Sequence, residues 1–247
     1  MSRRSSFLGL VGAGLIVVGA ATGCASGAAS APSTSAPSAS TPDATAPGET
    51  TPVEAAAVEA AWLDGGTLIA LVTRGSSSCV ARIADEPTVA DGVLDVSLTE
   101  DAGTACTRDL VPRPTLVPVP EGLDATRDLE ISVTGVATGT TLLRGLAAAE
   151  PEPPFTPGAG WVNDSLVAIL TFGSSSCIPV VETVAAQGDA IAVGFATPPA
   201  DQVCTLDVAP QLSLADVTGI GGSEVTSLVL SGGGVAADGP VPILGER

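Results

Sequence analysis

The sequence predicts an all-β protein: two tandem, related, small β-sandwich or barrel-like domains, each with one internal disulfide. Three observations carry this. A block of residues returns in register 98 positions further on. Short apolar runs are separated by Gly, Pro and Asp, as strands are by turns. Four of the five cysteines fall into two pairs of equal spacing, Cys79 with Cys106 and Cys177 with Cys204.

The repeat is explicit. WLDGGTLIALVTRGSSSC, from Trp62 to Cys79, returns as WVNDSLVAILTFGSSSC, from Trp161 to Cys177. CTRDLVP, from Cys106, returns as CTLDVAP, from Cys204. One residue is inserted near the tryptophan; from Thr73 to Pro112 the offset is constant. A period near 98 is a whole domain, not the 20–50 residues of a solenoid unit. The proline-rich run from Glu150 to Gly158 reads as a short stiff linker. The domains are placed at 53–150 and 151–247.

Within the first copy, residues 54–61 are expected to form a helical turn or two. Trp62-Leu63, then Asp64-Gly65, then an apolar run has the pattern of a hairpin, and Asn163-Asp164 occupies the same turn in the second copy. Leu68 to Val72 and Leu166 to Leu170 are continuous apolar runs, the pattern of strands buried on both faces. Further strands are expected over 80–84, 93–98, 116–119 and 129–133, and over 180–184, 191–195, 212–217 and 225–230. Alternation from Cys106 onward would put Thr107 and Asp109 on an outer face, with Arg108 in the inward place of Leu206.

Duplication selects the cysteine pairing. Four cysteines allow three connectivities, and an ancestral single domain had to close its own bridge, so Cys79–Cys106 and Cys177–Cys204 are expected. Each loop closure contributes ~3.5 kcal/mol through chain entropy. The domains need it, because their only aromatic residues are Trp62, Phe155, Trp161, Phe172 and Phe195. Each tryptophan is expected to anchor a core beside its disulfide, the alternative being an exposed sugar-stacking platform.

The N-terminus is of a different kind. Arg3 and Arg4 precede an uncharged apolar run from Phe7 to Ala21, and small residues then lead to Cys24. These are the parts of a secretory signal, and the run is shorter than the ~20 residues a spanning helix needs. Ala21-Thr22-Gly23-Cys24 resembles a bacterial lipobox, although Ala21 stands where leucine is more usual. That resemblance implies removal of residues 1–23 and acylation of Cys24. Two acyl chains, at ~0.8 kcal/mol per buried CH₂, hold a protein to a membrane lastingly. Lipidation also accounts for the odd fifth cysteine. Residues 24–52 are nearly all Ala, Ser, Thr, Pro and Gly. They are expected to form a disordered stalk reaching on the order of 80 Å.

Composition narrows the chemistry. Nine basic residues, all arginine, face 27 acidic ones, a net charge of −18, or −20 once Arg3 and Arg4 are removed. Nucleic acid is thereby a poor partner. There is no histidine or lysine, so His-based triads, His-ligated zinc and lysine Schiff bases are excluded. No cofactor or metal is implied. The cysteines lack the C-x₂-C pair of zinc thiolate sites, and Glu100-Asp101 and Asp124 with Asp128 lack a calcium-loop pattern. The richness in Ala, Val, Gly and Arg resembles that of high-GC actinobacteria.

The candidate binding residues are the twice-occurring serines Ser76, Ser77, Ser78 and Ser174, Ser175, Ser176, together with Asp109 and Asp207. Three hydroxyls and backbone N–H groups after a glycine can cradle an anion or a sugar; equally, they can bond their own backbone and aim the cysteine. The expected function is that of a cell-envelope lipoprotein, held to the membrane through Cys24, its domains serving as a binding or structural module for an envelope protein or glycan. The alternatives are a carboxylate-dependent cell-wall glycan hydrolase, which needs two acids facing one cleft, and a solute-binding lipoprotein, which needs a pocket between the copies.

Overall fold

Strand formation dominates the structure, a computed structural model that describes residues 58–247 except Ala102, Thr104, Gly221, Ser223 and Ala236. The export signal, Cys24, the stalk and residues 54–57 lie outside the described residues. No α-helix occurs among the described residues, which belong to one compact unit, Thr51–Arg247.

The first half runs β1 (Glu59–Leu63), a 3₁₀ turn (Asp64–Gly66), β2 (Leu68–Gly75), β3 (Arg82–Ile83), β4 (Thr88–Ala90), β5 (Val93–Thr99), β6 (Val111–Pro118), β7 (Leu129–Gly135) and β8 (Gly139–Leu143). The second runs β9 (Gly158–Asn163), β10 (Leu166–Gly173), β11 (Val181–Gln187), β12 (Ala190–Phe195), β13 (Ala209–Asp216), β14 (Ser227–Gly232) and β15 (Val241–Leu244). The order of elements is the same in both. In the first half β1-β2-β6 faces β3-β5-β7-β8, with β4 also on β5. β5 and β7 pair in parallel, because the chain crosses to the opposite sheet as β6 between them. β12 and β14 repeat this arrangement around β13.

The halves differ in two places. β11 is continuous where the first half has β3 and β4 separately; Pro87, which has no N–H for a ladder, lies between those two. β4 then turns into β5 through Asp91 and Gly92, both at positive φ (53° and 84°), as a two-residue hairpin turn requires. In the second half β15 pairs with both β14 and β9, joining its sheets along one seam into a seven-stranded path. β8 makes no such junction with β1.

Period-two alternation sorts side chains among three cores. On β1, Ala60 and Trp62 enter the first core, while Ala61 and Leu63 point the other way. On β2, Ile69 and Leu71 enter the first core and Ala70 the opposite layer. On β10, Val167 and Ile169 enter the second core, whereas Ala168 and Leu170 meet Ala61, Leu63 and Ala70 in a shared layer. The central strands are therefore buried on both faces, as their unbroken apolar runs predict. The close approach is visible at Gly160, where a Cβ would lie 2.2 Å from the Trp62 carbonyl oxygen. Asn163 Nδ2 also donates to Glu59 Oε1 across the junction, at 2.6 Å.

Four expectations are corrected. Residues 59–61 are strand, not helix: Ala60 pairs with Leu71 and Ala61 with Ala70, since alternate burial against two layers outweighs alanine's helix propensity. Of residues 80–84 only Arg82–Ile83 is strand. The segment after Cys106 is a loop; strand begins at Val111, and both Arg108 and Leu206 lie exposed, because hydrogen bonds from the serine loop to Thr107 and Asp109 replace ladder pairing there. The tryptophans do not lie beside the disulfides. Trp62 faces Ile69 at the turn end of β2, roughly 20 Å of extended chain from Gly75 at the other end.

Candidate functional site

The strongest recurring constellation lies where β2 exits toward Cys79 and β6 begins, and again where β10 exits toward Cys177 and β13 begins. The disulfides form within each half, with Cα–Cα distances of 5.5 Å for Cys79–Cys106 and 5.6 Å for Cys177–Cys204. Each ties a serine loop against a Thr-x-Asp loop. In the first half the Thr107 hydroxyl lies 2.7 Å from Ser76 Oγ and 3.2 Å from Ser77 Oγ. The Thr107 backbone N–H donates to Ser78 Oγ at 3.0 Å. Asp109 Oδ1 accepts from the Ser77 N–H at 3.0 Å and from the Thr107 hydroxyl. Every contact recurs. Thr205 meets Ser174 at 2.7 Å and Ser175 at 3.3 Å, and its N–H donates to Ser176 at 3.0 Å. Asp207 accepts from the Ser175 N–H at 3.1 Å and from Thr205.

All eight candidate residues are thus brought together, four in each half. Thr107 and Thr205 sit at the centre, and their recurrence between Cys and Asp is the sequence signal for them. Arg113 and Gln211 were not singled out by the sequence, yet they hold the loops from below. The Arg113 guanidinium donates to the carbonyls of Cys79 and Ser76 and pairs with Glu100 at 2.5 Å. Gln211 donates to the carbonyls of Ser174 and Cys177.

Hydrogen bonds to the ionised form lower a carboxyl's pKa. Asp109 is held far below the ordinary carboxylate range by Ser77 and then Thr107, and Asp207 is lowered to about 2 by Thr205 and then Ser175. Asp124 and Asp216 are also lowered, each by hydrogen bonds from a threonine two residues on. A carboxylate so stabilised is a weak base, poorly suited to activate the neighbouring serines as nucleophiles. Their hydroxyls are engaged with one another and with threonine.

Because the folded pKa of Asp207 lies below its unfolded value, this interaction favours the folded loop above pH 4. The contribution is lost as pH falls through about 2. Carbon-detected NMR is expected to show the Asp207 carboxyl titrating near 2 in the native chain, and Thr205→Val is expected to move it up toward 3.8. An unmoved midpoint in Thr205→Val would contradict the assigned cause.

The other candidates are also engaged. Cys79, Glu100 and Cys106 lie within mutual reach, but the sulfurs are bonded to each other and offer no thiolate. Asp101 pairs with Arg82 at 2.7 Å, and Asp128 with Arg144 at 3.1 Å. Asp124 caps its own turn through Thr126. Trp62 is buried and donates from Nε1 to the Arg144 carbonyl at 2.7 Å; Trp161 is covered by the Arg247 guanidinium, 4.9 Å from its ring centre. Neither offers a free stacking face. Where the halves meet, a cavity of about 360 Å³ lies between Asp64 and Gly65 of the first and Pro157, Gly158, Asp238 and Pro240 of the second.

The geometry defines a tandem of disulfide-stapled β domains fused through a shared apolar layer. The chain matches no protein-family model, no curated protein and no solved structure. No helix among the described residues is long and apolar enough to cross a membrane.

Proposed function

We propose that this chain is an exported lipoprotein of the cell envelope, attached through acyl chains on Cys24. Its two β domains descend from one duplicated ancestor and act as a binding or structural module, not as an enzyme. The pair of disulfides carries the reading, because such bonds form and persist in oxidising, extracytoplasmic compartments. Two further features support it. Scaffold positions recur in both halves, and the displaced carboxylates are displaced downward, whereas a glycosidase acid must be raised. A second reading, capture of a small solute, draws on the 360 Å³ cavity between the halves, which is within the range of ligand sites.

The test is metabolic labelling with palmitate. Label is expected to enter the full chain and to be lost in Cys24→Ser, which then leaves the membrane fraction. Label retained by Cys24→Ser, or never entering the native chain, overturns the anchor.

A further inference from the structure

The two disulfide loops share a hydrogen-bond network but not a surface. Arg74, Arg82, Glu100, Asp101, Arg108 and Arg113 of the first half stand where the second has Phe172, Val180, Pro198, Pro199, Leu206 and Gln211. In the first half, Arg82–Asp101 and Arg113–Glu100 are ion pairs. In the second, the places of Arg82 and Asp101 fall to Val180 and Pro199. There a cavity of about 130 Å³ lies among Ile178, Val180, Pro198, Pro199 and Gln202. An apolar cavity of about 150 Å³ takes a benzene-sized molecule, so this one suits a single aliphatic side chain. Around the other cysteine of the bridge, Val203 is 90% exposed and Leu206 fully so. The Cys177–Cys204 bridge holds these residues in one place, Ile178 next to one sulfur and Val203 next to the other.

Isolated exposed apolar residues are ordinary, but a grouped set beside a cavity marks an interaction surface. The unpaired charge around this set has one sign; Arg82 of the first half, which shares a cavity with Ile178, is paired with Asp101. From 151 onward the only basic residue is Arg247. It is bound to the carbonyls of Asp164, Ile220 and Gly222 and lies over Trp161. The charges nearest the apolar set in sequence are Glu182, Asp201 and Asp207, all exposed. A second copy of the chain would bring the same acids against each other, and an anionic lipid surface would be repelled. A basic surface would be drawn in.

We propose that the Cys177–Cys204 end of the second half docks a partner protein through a basic segment. One aliphatic side chain of that segment enters the cavity, and its lysine or arginine side chains meet Asp201 and Asp207. This names a partner class for the binding-module reading and rests on it. Where the second half has Val180, Pro198, Pro199 and Leu206, the first has the ion pairs Arg82–Asp101 and Arg113–Glu100 and an exposed Arg108.

The probe is a fluorescent twelve-residue peptide of alternating lysine and leucine, with a twin carrying glutamate for lysine. Each is titrated by anisotropy into the full chain in phosphatidylcholine nanodiscs. The lysine peptide is expected to bind and the glutamate twin not to bind. Val180→Ser with Val203→Ser and Leu206→Ser, neutral changes at exposed positions, is expected to weaken binding at least tenfold. Val89→Ser with Ala105→Ser and Leu110→Ser in the first half is expected to leave it within twofold. Equal loss in both triples, no loss in either, or equal binding of both peptides overturns the proposal. So does a native chain whose mass rises with concentration and falls back in the second-half triple, which would assign the surface to a second copy. Palmitate labelling of the native chain separates the two readings, since a native chain that takes label but does not bind the lysine peptide sinks the docking surface alone.

Discussion

Trp62→Ala is expected to destabilise the chain by about 3–5 kcal/mol, the range for emptying a buried aromatic site. For a chain of this size that is a fall in Tm of roughly 10 °C. Three features place it at the upper end. The side chain is 1% exposed and sits in the first core among Ile69, Leu71 and Val117. Ile69 and Leu71 are held in ladders on both sides and Val117 on one, so the site has little freedom to collapse. The lost Nε1–H also removes the partner of the Arg144 carbonyl. Trp161→Ala is expected to cost less, because part of what covers its ring is the Arg247 side chain, which can settle into the vacated space. Urea unfolding of both variants against the native chain measures the difference. A cost below 1 kcal/mol for Trp62→Ala, or the reverse order, would contradict this packing.

The same core shows how far the sequence can be read. Leu68 to Val72 was legible as a strand buried on both faces, and it is one. A lone two-layer sandwich covers only one face of each sheet, so a run buried on both needs a third layer, a step the sequence reading did not take. That layer is the other half of the chain. β5 shows the contrasting pattern, with Leu94, Val96 and Leu98 buried and Asp95 exposed between them. β6 was harder, because Pro112, Pro114 and Pro118 read as breaks. They are tolerated because β6 is the outermost strand of its sheet and only one of its edges must donate.

At the site, the cysteine pairing followed from duplication, and the serines and aspartates from recurrence. Arg113 and Gln211 were not legible. Which carbonyls a side chain meets depends on how the loop is folded back by its disulfide, and no periodicity describes a loop. Leu206 shows the same limit from the other side: alternation placed its counterpart Arg108 inward, while the bridge turns both outward.

Ala168→Asp is expected to part the two halves while each keeps its own core. Ala168 is fully buried in the shared layer with Leu170, Ala61, Leu63 and Ala70. It pairs with Gly160, where even a methyl group would strike the Trp62 carbonyl. There is neither room nor a cation for a carboxylate. An ionised group buried without a partner costs several kcal/mol, but the chain can escape that cost by opening the layer. The penalty is therefore capped by the free energy that holds the halves together. The buried residues of the first and second cores lie on the opposite faces of β2 and β10, and of the second half's described residues only the partly buried Leu244 packs against the first core. Small-angle scattering is expected to show an expanded particle, and protease to cut the 150–157 linker. Tryptophan fluorescence should stay native, because Trp62 and Trp161 belong to those two cores. Lowering the pH is expected to restore the closed form, since burial raises a carboxyl's pKa and the protonated side chain costs less to enclose. One cooperative loss of both tryptophan signals, or an unchanged particle at neutral pH, would contradict the shared layer as the seam.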